Sequence, residues 1–192
     1  MVWKSIESLG RLGVIVRALN NCRAIVILRH PCGYAASMLR GQHASKFKGF
    51  DSDYEMLDML LATEQAKRRG IRSDDLREMH PLERLTLPWL LLNEKAMDDT
   101  ENDDNCKLLI YEELCADPVK VARELFDFAR LEWNGQSEEF VRNSVSRESA
   151  TYYGVYKNPL EAANKWTKQL AASDIDKILA MVDGSQPGKY YM

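Results

Sequence analysis

The sequence predicts an α/β fold that is rich in helix and has a reduced parallel sheet. Two short, largely apolar segments, AIVIL at 24–28 and KLLI at 107–110, are each followed by a signal for a helix start. Runs of this kind, bounded by turns, are typical of strands in a parallel sheet, and AIVIL suits a strand covered on both faces. The rest of the chain carries apolar residues at helical spacing. We therefore expect two strands connected and covered by helices.

The composition is that of one folded domain spanning residues 1–192. Hydrophobic residues make up 45% of the chain and charged residues 29%, and the net charge is −3, which is unfavourable for binding nucleic acid. No segment approaches the roughly 20 apolar residues of a membrane span. The four cysteines show no metal-ligand spacing, and Cys22 and Cys106 are expected to be buried free thiols. We expect a cytoplasmic protein without a bound metal.

The first strand leads into the most informative turn of the chain. A helix predicted from about residue 6 to 19 precedes the strand, and Arg29, His30 and Pro31 follow it. Proline lacks a donor N–H and keeps the preceding residue out of the helical region, so the next helix should open at about Cys32. A guanidinium beside the free N–H groups of a helix start can bind an anion. This turn is therefore a candidate phosphate-binding corner.

The middle of the chain is predicted to be helical. An amphipathic helix is expected over 54–70, with Gly70 as its C-terminal stop. A second helix should cover 82–97 and be interrupted at Pro88. Trp89 is expected to lie in the core. The acidic loop that follows should be solvated.

The second strand is followed by further helices. Asp117 and Pro118 form a strong helix start, with the aspartate as the cap and the proline at the first helical position. Later helices are predicted over 137–146 and 174–182, the last one capped by Ser173.

Two blocks together resemble the sulfotransferase family. The first is the strand–RxP–helix segment, in which Ser37 follows Arg29 by eight residues. The second is Tyr111-Glu112-Glu113-Leu114, which stands for a YEDL-type element and is followed by the Asp-Pro helix start. The resemblance extends from about Lys4 to the C-terminus. His30 departs from the family pattern, which usually has Asp or Asn there.

The resemblance implies a P-loop-NTPase-like sulfotransferase fold and transfer of a sulfuryl group from 3′-phosphoadenosine 5′-phosphosulfate (PAPS) to a hydroxyl or amine. The acceptor would be a small molecule or a carbohydrate. In the family, residues corresponding to Arg29 and Ser37 bind the 3′-phosphate, and we expect Tyr111 to line the nucleotide site. Lys4 corresponds to the lysine that contacts the sulfuryl group. Ile6 stands where the cytosolic branch has its general-base histidine.

Further polar residues could complete this site. Glu7 could replace the missing base, and Arg147 or Lys157 could contact the 3′-phosphate, by analogy with a loop that covers the nucleotide in related enzymes. The family's 5′-phosphosulfate-binding loop, an R-S-G-T-type turn, does not occur in these 192 residues. The chain would then be a C-terminal portion of the family fold, or would have lost the loop together with the chemistry.

Three functions follow from these observations. The first is a sulfotransferase. The second is a nucleotide-binding or regulatory module that does not transfer sulfate. The third, a P-loop kinase, ranks last because the sequence has neither a GKS/T loop nor an evident acid for Mg²⁺. A homo-oligomer could fill a gap left in so small a sheet.

Overall fold

A computed structural model describes residues 2–6, 8–44, 54–146 and 158–192. The helices and strands of these residues are α1 Leu12–Ala18, β1 Ala24–Leu28, α2 Pro31–His43, α3 Tyr54–Leu61, α4 Glu64–Arg68, α5 Ser73–Glu78, α6 Pro81–Asp99, β2 Cys106–Ile110, α7 Tyr111–Ala116, α8 Pro118–Ala129, α9 Gly135–Ser146, α10 Pro159–Asn164 and α11 Ala172–Val182. Short 3₁₀ helices cover Leu9–Arg11, Lys165–Lys168 and Gly188–Tyr190. The expected helix-rich α/β class is confirmed.

The two strands pair directly and run parallel. Their register pairs Ala24 with Cys106 and Leu28 with Ile110. The strands therefore end side by side, and the residues that follow them emerge at the same edge of the sheet. This arrangement sets the position of Arg29 relative to Tyr111.

The helices cover one face of β1 and leave the other exposed. Val26 and Leu28 are buried, whereas 36% of Ile25 and 57% of Ile27 is exposed. The prediction of a strand covered on both faces is therefore wrong for the described part of the chain. An unbroken run of β-branched residues favours a strand, but it does not determine how many faces are covered.

Helix α6 forms the centre of the core. Its buried residues contribute to three apolar clusters, which include Leu28 of β1, Leu57 of α3 and Ile178 of α11. Trp89 is 5% exposed, which confirms its expected place in the core. The predicted interruption at Pro88 is wrong, because α6 continues through this residue. Proline removes only one backbone hydrogen bond, and packing on all sides of the buried segment keeps the helix intact.

Several helix boundaries also differ from the prediction. The single helix expected over 54–70 is divided in two, because the Thr63 hydroxyl accepts a hydrogen bond from the Ala66 amide and caps a new helix. The first α-helix begins at Leu12 after a 3₁₀ turn. Helix α11 begins at Ala172, so Ser173 lies inside it rather than capping it.

The cysteines are free, but their burial differs from the prediction. Cys22 and Cys106 are only half-buried, whereas Cys32 and Cys115 are buried. Cys22 lies just before β1 and Cys106 begins β2, so both lie at the end of the sheet where the strands start. No helix among the described residues is long and apolar enough to cross a membrane.

Candidate anion-binding site

Two predicted site residues meet at the carboxyl edge of the sheet. Arg29 follows β1 and Tyr111 follows β2, and the Arg29 Cζ atom lies 5.1 Å from the centre of the Tyr111 ring. The parallel register of the strands brings these two residues together. A guanidinium at this distance over an aromatic ring makes a favourable cation–π contact.

The Arg29 guanidinium lacks strong polar partners among the described residues. Its Nε atom is buried and makes no hydrogen bond there. Its Nη2 atom lies 3.5 Å from the Ala162 carbonyl oxygen, which is at the limit of a hydrogen bond. No ion pair among the described residues includes Arg29. A buried donor without a partner carries a desolvation cost that a bound anion would remove.

Helix α2 lies beside this guanidinium and presents a glycine to it. A Cβ atom built on Gly33 would lie 3.1 Å from Arg29 Nε and 3.3 Å from Trp166 Cδ1. Only hydrogen at this position leaves normal space for both neighbours. Ser37 is one helical turn further along the same face. It is half-buried, and no side-chain hydrogen bond joins its hydroxyl to another described residue.

The N–H groups at the start of α2 are already bonded. The His30 amide donates to Glu112 Oε1 over 3.0 Å. The Cys32 amide donates to His30 Nδ1 over 3.2 Å. The prediction of free N–H groups at this helix start is therefore wrong for these two amides. The imidazole nitrogen does the capping that an Asp or Asn oxygen does elsewhere, which explains how histidine fits this position.

The His30 ring is enclosed by aromatic side chains. It stacks on Trp166 with 4.3 Å between ring centres, and it meets Tyr191 edge-on at 4.9 Å. Burial, and to a smaller extent the charge of Arg29, lowers the pKa of His30 to about 4. The ring is therefore neutral at pH 7, as its role of hydrogen-bond acceptor for Cys32 requires.

Glu112 and Tyr191 belong to the site, although the sequence analysis gave neither a role. Glu112 Oε1 accepts the His30 amide, and Oε2 accepts a hydrogen bond from the Tyr191 hydroxyl at 3.2 Å. Trp89 Nε1 also donates to the Arg29 carbonyl oxygen at 2.9 Å. The sequence offered a signal for Glu112, an acid directly after Tyr111. It offered none that separates Tyr191 from the other tyrosine of the tail.

The phenol and thiol groups near Arg29 have raised pKa values. Burial, and to a smaller extent the hydrogen bond with Cys115, raises the pKa of Tyr111 to about 12. Burial likewise raises the pKa of the Cys32 thiol to about 12. At neutral pH the phenol and the thiols are therefore protonated, and neither thiol is an activated nucleophile. This cluster is suited to binding an anion rather than to removing a proton.

The structure does not join the predicted catalytic lysine to this cluster. Lys4 is exposed and lies outside the helices and strands. No ion pair or cation–π contact among the described residues includes it. Glu7, Arg147 and Lys157 lie outside the described residues. Within those residues, no group of three or more His, Cys, Asp or Glu side chains could hold a metal ion.

A separate groove of about 830 Å³ lies between α8 and α9. It contains cationic side chains, but Arg123 and Arg142 both pair with Glu138. Their charges are thus already compensated within the groove. Arg29 differs from them in having no carboxylate partner within the described part of the chain.

The known proteins provide no guide to this site. The chain matches no family model, no curated protein and no solved structure. The interpretation of the Arg29 cluster therefore depends on its own geometry.

Proposed function

We propose that this chain binds the 3′-phosphate of PAPS at Arg29 and acts as a sulfotransferase. The observation that carries the proposal is the guanidinium at the end of β1, whose buried Nε has no hydrogen-bond partner among the described residues. A phosphate oxygen would supply the missing acceptor in a charge-assisted bond. The sequence resemblance supports the same residue, since Arg29 and Ser37 have the spacing of the family's 3′-phosphate segment.

The residues around Arg29 fit the phosphate-bearing end of such a nucleotide. Gly33 leaves space beside the guanidinium, and Ser37, one turn along the same helix face, offers a hydroxyl without a hydrogen-bond partner among the described residues. Tyr111 contributes a ring that fixes the guanidinium from the other side. When bound, PAPS supplies the sulfuryl group, and the acceptor would be a hydroxyl or amine of a small molecule or carbohydrate.

The role of Arg29 in this proposal is to bind and orient. Binding energy gained at a remote phosphate can hold a nucleotide in a reactive position, and oriented binding is a major source of rate enhancement. Lys4 would contact the sulfuryl oxygens. Its cationic charge would stabilise negative charge there during transfer.

The second candidate is a nucleotide-binding module that does not transfer sulfate. Two observations favour it. Lys4 is exposed, and no ion pair among the described residues includes it. In addition, the ring of His30 is neutral but its Nδ1 already accepts a hydrogen bond, so it is poorly placed to act as a base. Assay of sulfate transfer to a panel of hydroxyl and amine acceptors separates the two candidates.

Calorimetric titration with adenosine 3′,5′-bisphosphate tests the shared part of both candidates. We expect micromolar binding, with adenosine 5′-monophosphate binding far more weakly because it lacks the 3′-phosphate. Arg29→Ala should weaken bisphosphate binding by about a hundredfold, as loss of one partner of a buried charge pair does. Titration with ATP·Mg²⁺ in parallel tests the kinase alternative.

Arg40→Ala is the matched control. Arg40 lies on α2 as well, but its side chain is bonded to Gln169 at an exposed position. This variant should bind the bisphosphate like the wild type. Equal binding by the wild type and Arg29→Ala would contradict the proposal.

A further inference from the structure

A carboxylate lies close to Arg29 without forming an ion pair with it. Glu112 is adjacent in sequence to Tyr111, whose ring contacts the guanidinium, and its Oε1 atom binds the amide of His30, the residue after Arg29. The charges of Arg29 and Glu112 both act on Tyr111 and on Tyr191. A carboxylate within reach of a guanidinium ordinarily pairs with it, because charge-assisted hydrogen bonds are stronger than those between neutral groups.

Two hydrogen bonds hold the Glu112 carboxylate in another direction. The His30 amide occupies Oε1, and the Tyr191 hydroxyl occupies Oε2. The first bond comes from the start of α2 and the second from the C-terminal tail. Both oxygens therefore have donors that are fixed by other parts of the fold.

The tail that carries Tyr191 is a defined structure. The Ser185 hydroxyl donates to the Val182 carbonyl at 2.5 Å and accepts from the Gly188 amide at 2.9 Å. A Cβ atom on Gly188 would lie 2.1 Å from the Val182 oxygen, so only glycine permits this turn. The turn directs Tyr191 back to the sheet edge, where its ring meets His30 and packs near Trp89.

We infer that Tyr191 and Glu112 are positioning residues that keep the Arg29 guanidinium available to an external anion. The tail hydroxyl holds the carboxylate away from Arg29. Without this bond, Glu112 turns to the guanidinium and competes with the ligand. The C-terminal tail thereby controls the anion site through a carboxylate that itself does not touch the ligand.

The expected effect on ligand affinity rests on the proposed function. The expected pairing of Glu112 with Arg29 when the Tyr191 hydroxyl is removed does not. It is therefore tested by two measurements on the full chain. The first is the NMR signal of the Arg29 Nε–H group, assigned by its loss in Arg29→Lys. The second is the affinity for adenosine 3′,5′-bisphosphate.

Tyr191→Phe removes only the hydroxyl and keeps the ring on His30. It should shift the Arg29 Nε–H signal and weaken bisphosphate binding about tenfold, a typical coupling between two sites. The double variant Tyr191→Phe/Glu112→Gln should restore both, because the amide carries no charge to compete with the ligand. A purely structural role of the tail predicts no such rescue.

The neighbouring residues provide matched controls. Tyr190→Phe, at a 52% exposed tyrosine, and Glu113→Gln, at an exposed acid, should change neither measurement. An unchanged Arg29 signal in Tyr191→Phe would overturn the inference, as would weakened binding that persists in the double variant. If the wild type does not bind the bisphosphate, the proposed function fails, and the NMR signal alone still decides the inference.

Discussion

Arg29 and Arg69 are both shielded from solvent in part, but their surroundings differ. Arg69 follows α4 and makes a bidentate pair with Glu94 of α6, with Nε–Oε2 at 2.9 Å and Nη2–Oε1 at 2.5 Å. The hydrogen bonds that Arg69 donates to Glu94 raise the pKa of Arg69 and so favour its charged form. Arg29 contacts the ring of Tyr111 and makes a long contact with the Ala162 carbonyl. The Glu112 carboxylate accepts a hydrogen bond from the His30 amide instead of pairing with Arg29.

The difference separates a structural cation from a candidate ligand-binding one. A guanidinium whose Nε and Nη2 atoms are paired with a carboxylate stabilises the packing of two helices, and this edge of the group is occupied. A guanidinium with a buried, unbonded donor adds little stability by itself, because no hydrogen bond within the chain offsets the free-energy cost of its desolvation. A buried charged donor without a partner is suited to binding a ligand of opposite charge.

The largest effect expected from this comparison is on stability. Arg69→Met leaves Glu94, which is 9% exposed, without its partner, and should lower the free energy of unfolding by about 2 kcal/mol. Arg29→Met leaves no paired carboxylate behind and should change it by less than about 1 kcal/mol. Urea unfolding of both variants measures the difference.

A double variant tests the cause of the Arg69 effect. Arg69→Met/Glu94→Leu removes both charges and should recover most of the lost stability, because an apolar pair of similar size can replace a buried ion pair. Equal losses in Arg29→Met and Arg69→Met would contradict the distinction between the two arginines.

The next largest effect is on binding affinity, and it results from steric crowding of Arg29 rather than from a change of charge. Gly33→Ala places a Cβ atom 3.1 Å from Arg29 Nε, so the guanidinium must move by a few tenths of an ångström. We expect affinity for adenosine 3′,5′-bisphosphate to fall by about fivefold, since small displacements of a binding group lose orientation. Stability should change by less than about 1 kcal/mol, because alanine favours the helix. Calorimetry and urea unfolding measure the two quantities.

Gly135→Ala is the control for this substitution. Gly135 begins α9, and nothing lies within 4 Å of a Cβ atom built there. This variant should keep the wild-type affinity. If Gly33→Ala also keeps it, the guanidinium has more freedom than its packing against Gly33 indicates.

The sequence was sufficient to predict both strands and the turn at Pro31. These features depend on residues that are close together in sequence, so they are visible in local patterns. Whether the two strands pair with each other could not be predicted, because their pairing joins residues that are far apart in the chain. The contact of Arg29 with Tyr111 depends on this pairing.

The remaining partners could not be predicted, because they depend on the path of the whole chain. The Glu112–Tyr191 bond joins residues separated by 79 positions, and the direction of the tail is determined by the turn around Ser185 and Gly188. The continuity of α6 through Pro88 likewise depends on tertiary packing. Local propensity alone predicts a break there.

The smallest effect expected is on the titration of His30, and it reports directly on the charge of Arg29. Because the native pKa is about 4 and the unfolded value is about 6.5, the unfolded chain binds more protons between these pH values. The free energy of unfolding should therefore fall as the pH drops through this window. His30→Asn can keep the helix cap without a titrating ring, so it should lack this part of the loss.

NMR titration of the His30 ring then compares the two arginines. Burial is the larger cause of the lowered pKa and remains in every variant, so only the smaller contribution of Arg29 can change. Arg29→Met should raise the pKa of His30, and so should adenosine 3′,5′-bisphosphate bound to the wild type, because either one removes or offsets the positive charge. Arg69→Met should leave it unchanged. A His30 pKa that responds to neither Arg29→Met nor the nucleotide would mean that the guanidinium charge is already compensated, and Arg29 would then be a structural cation like Arg69.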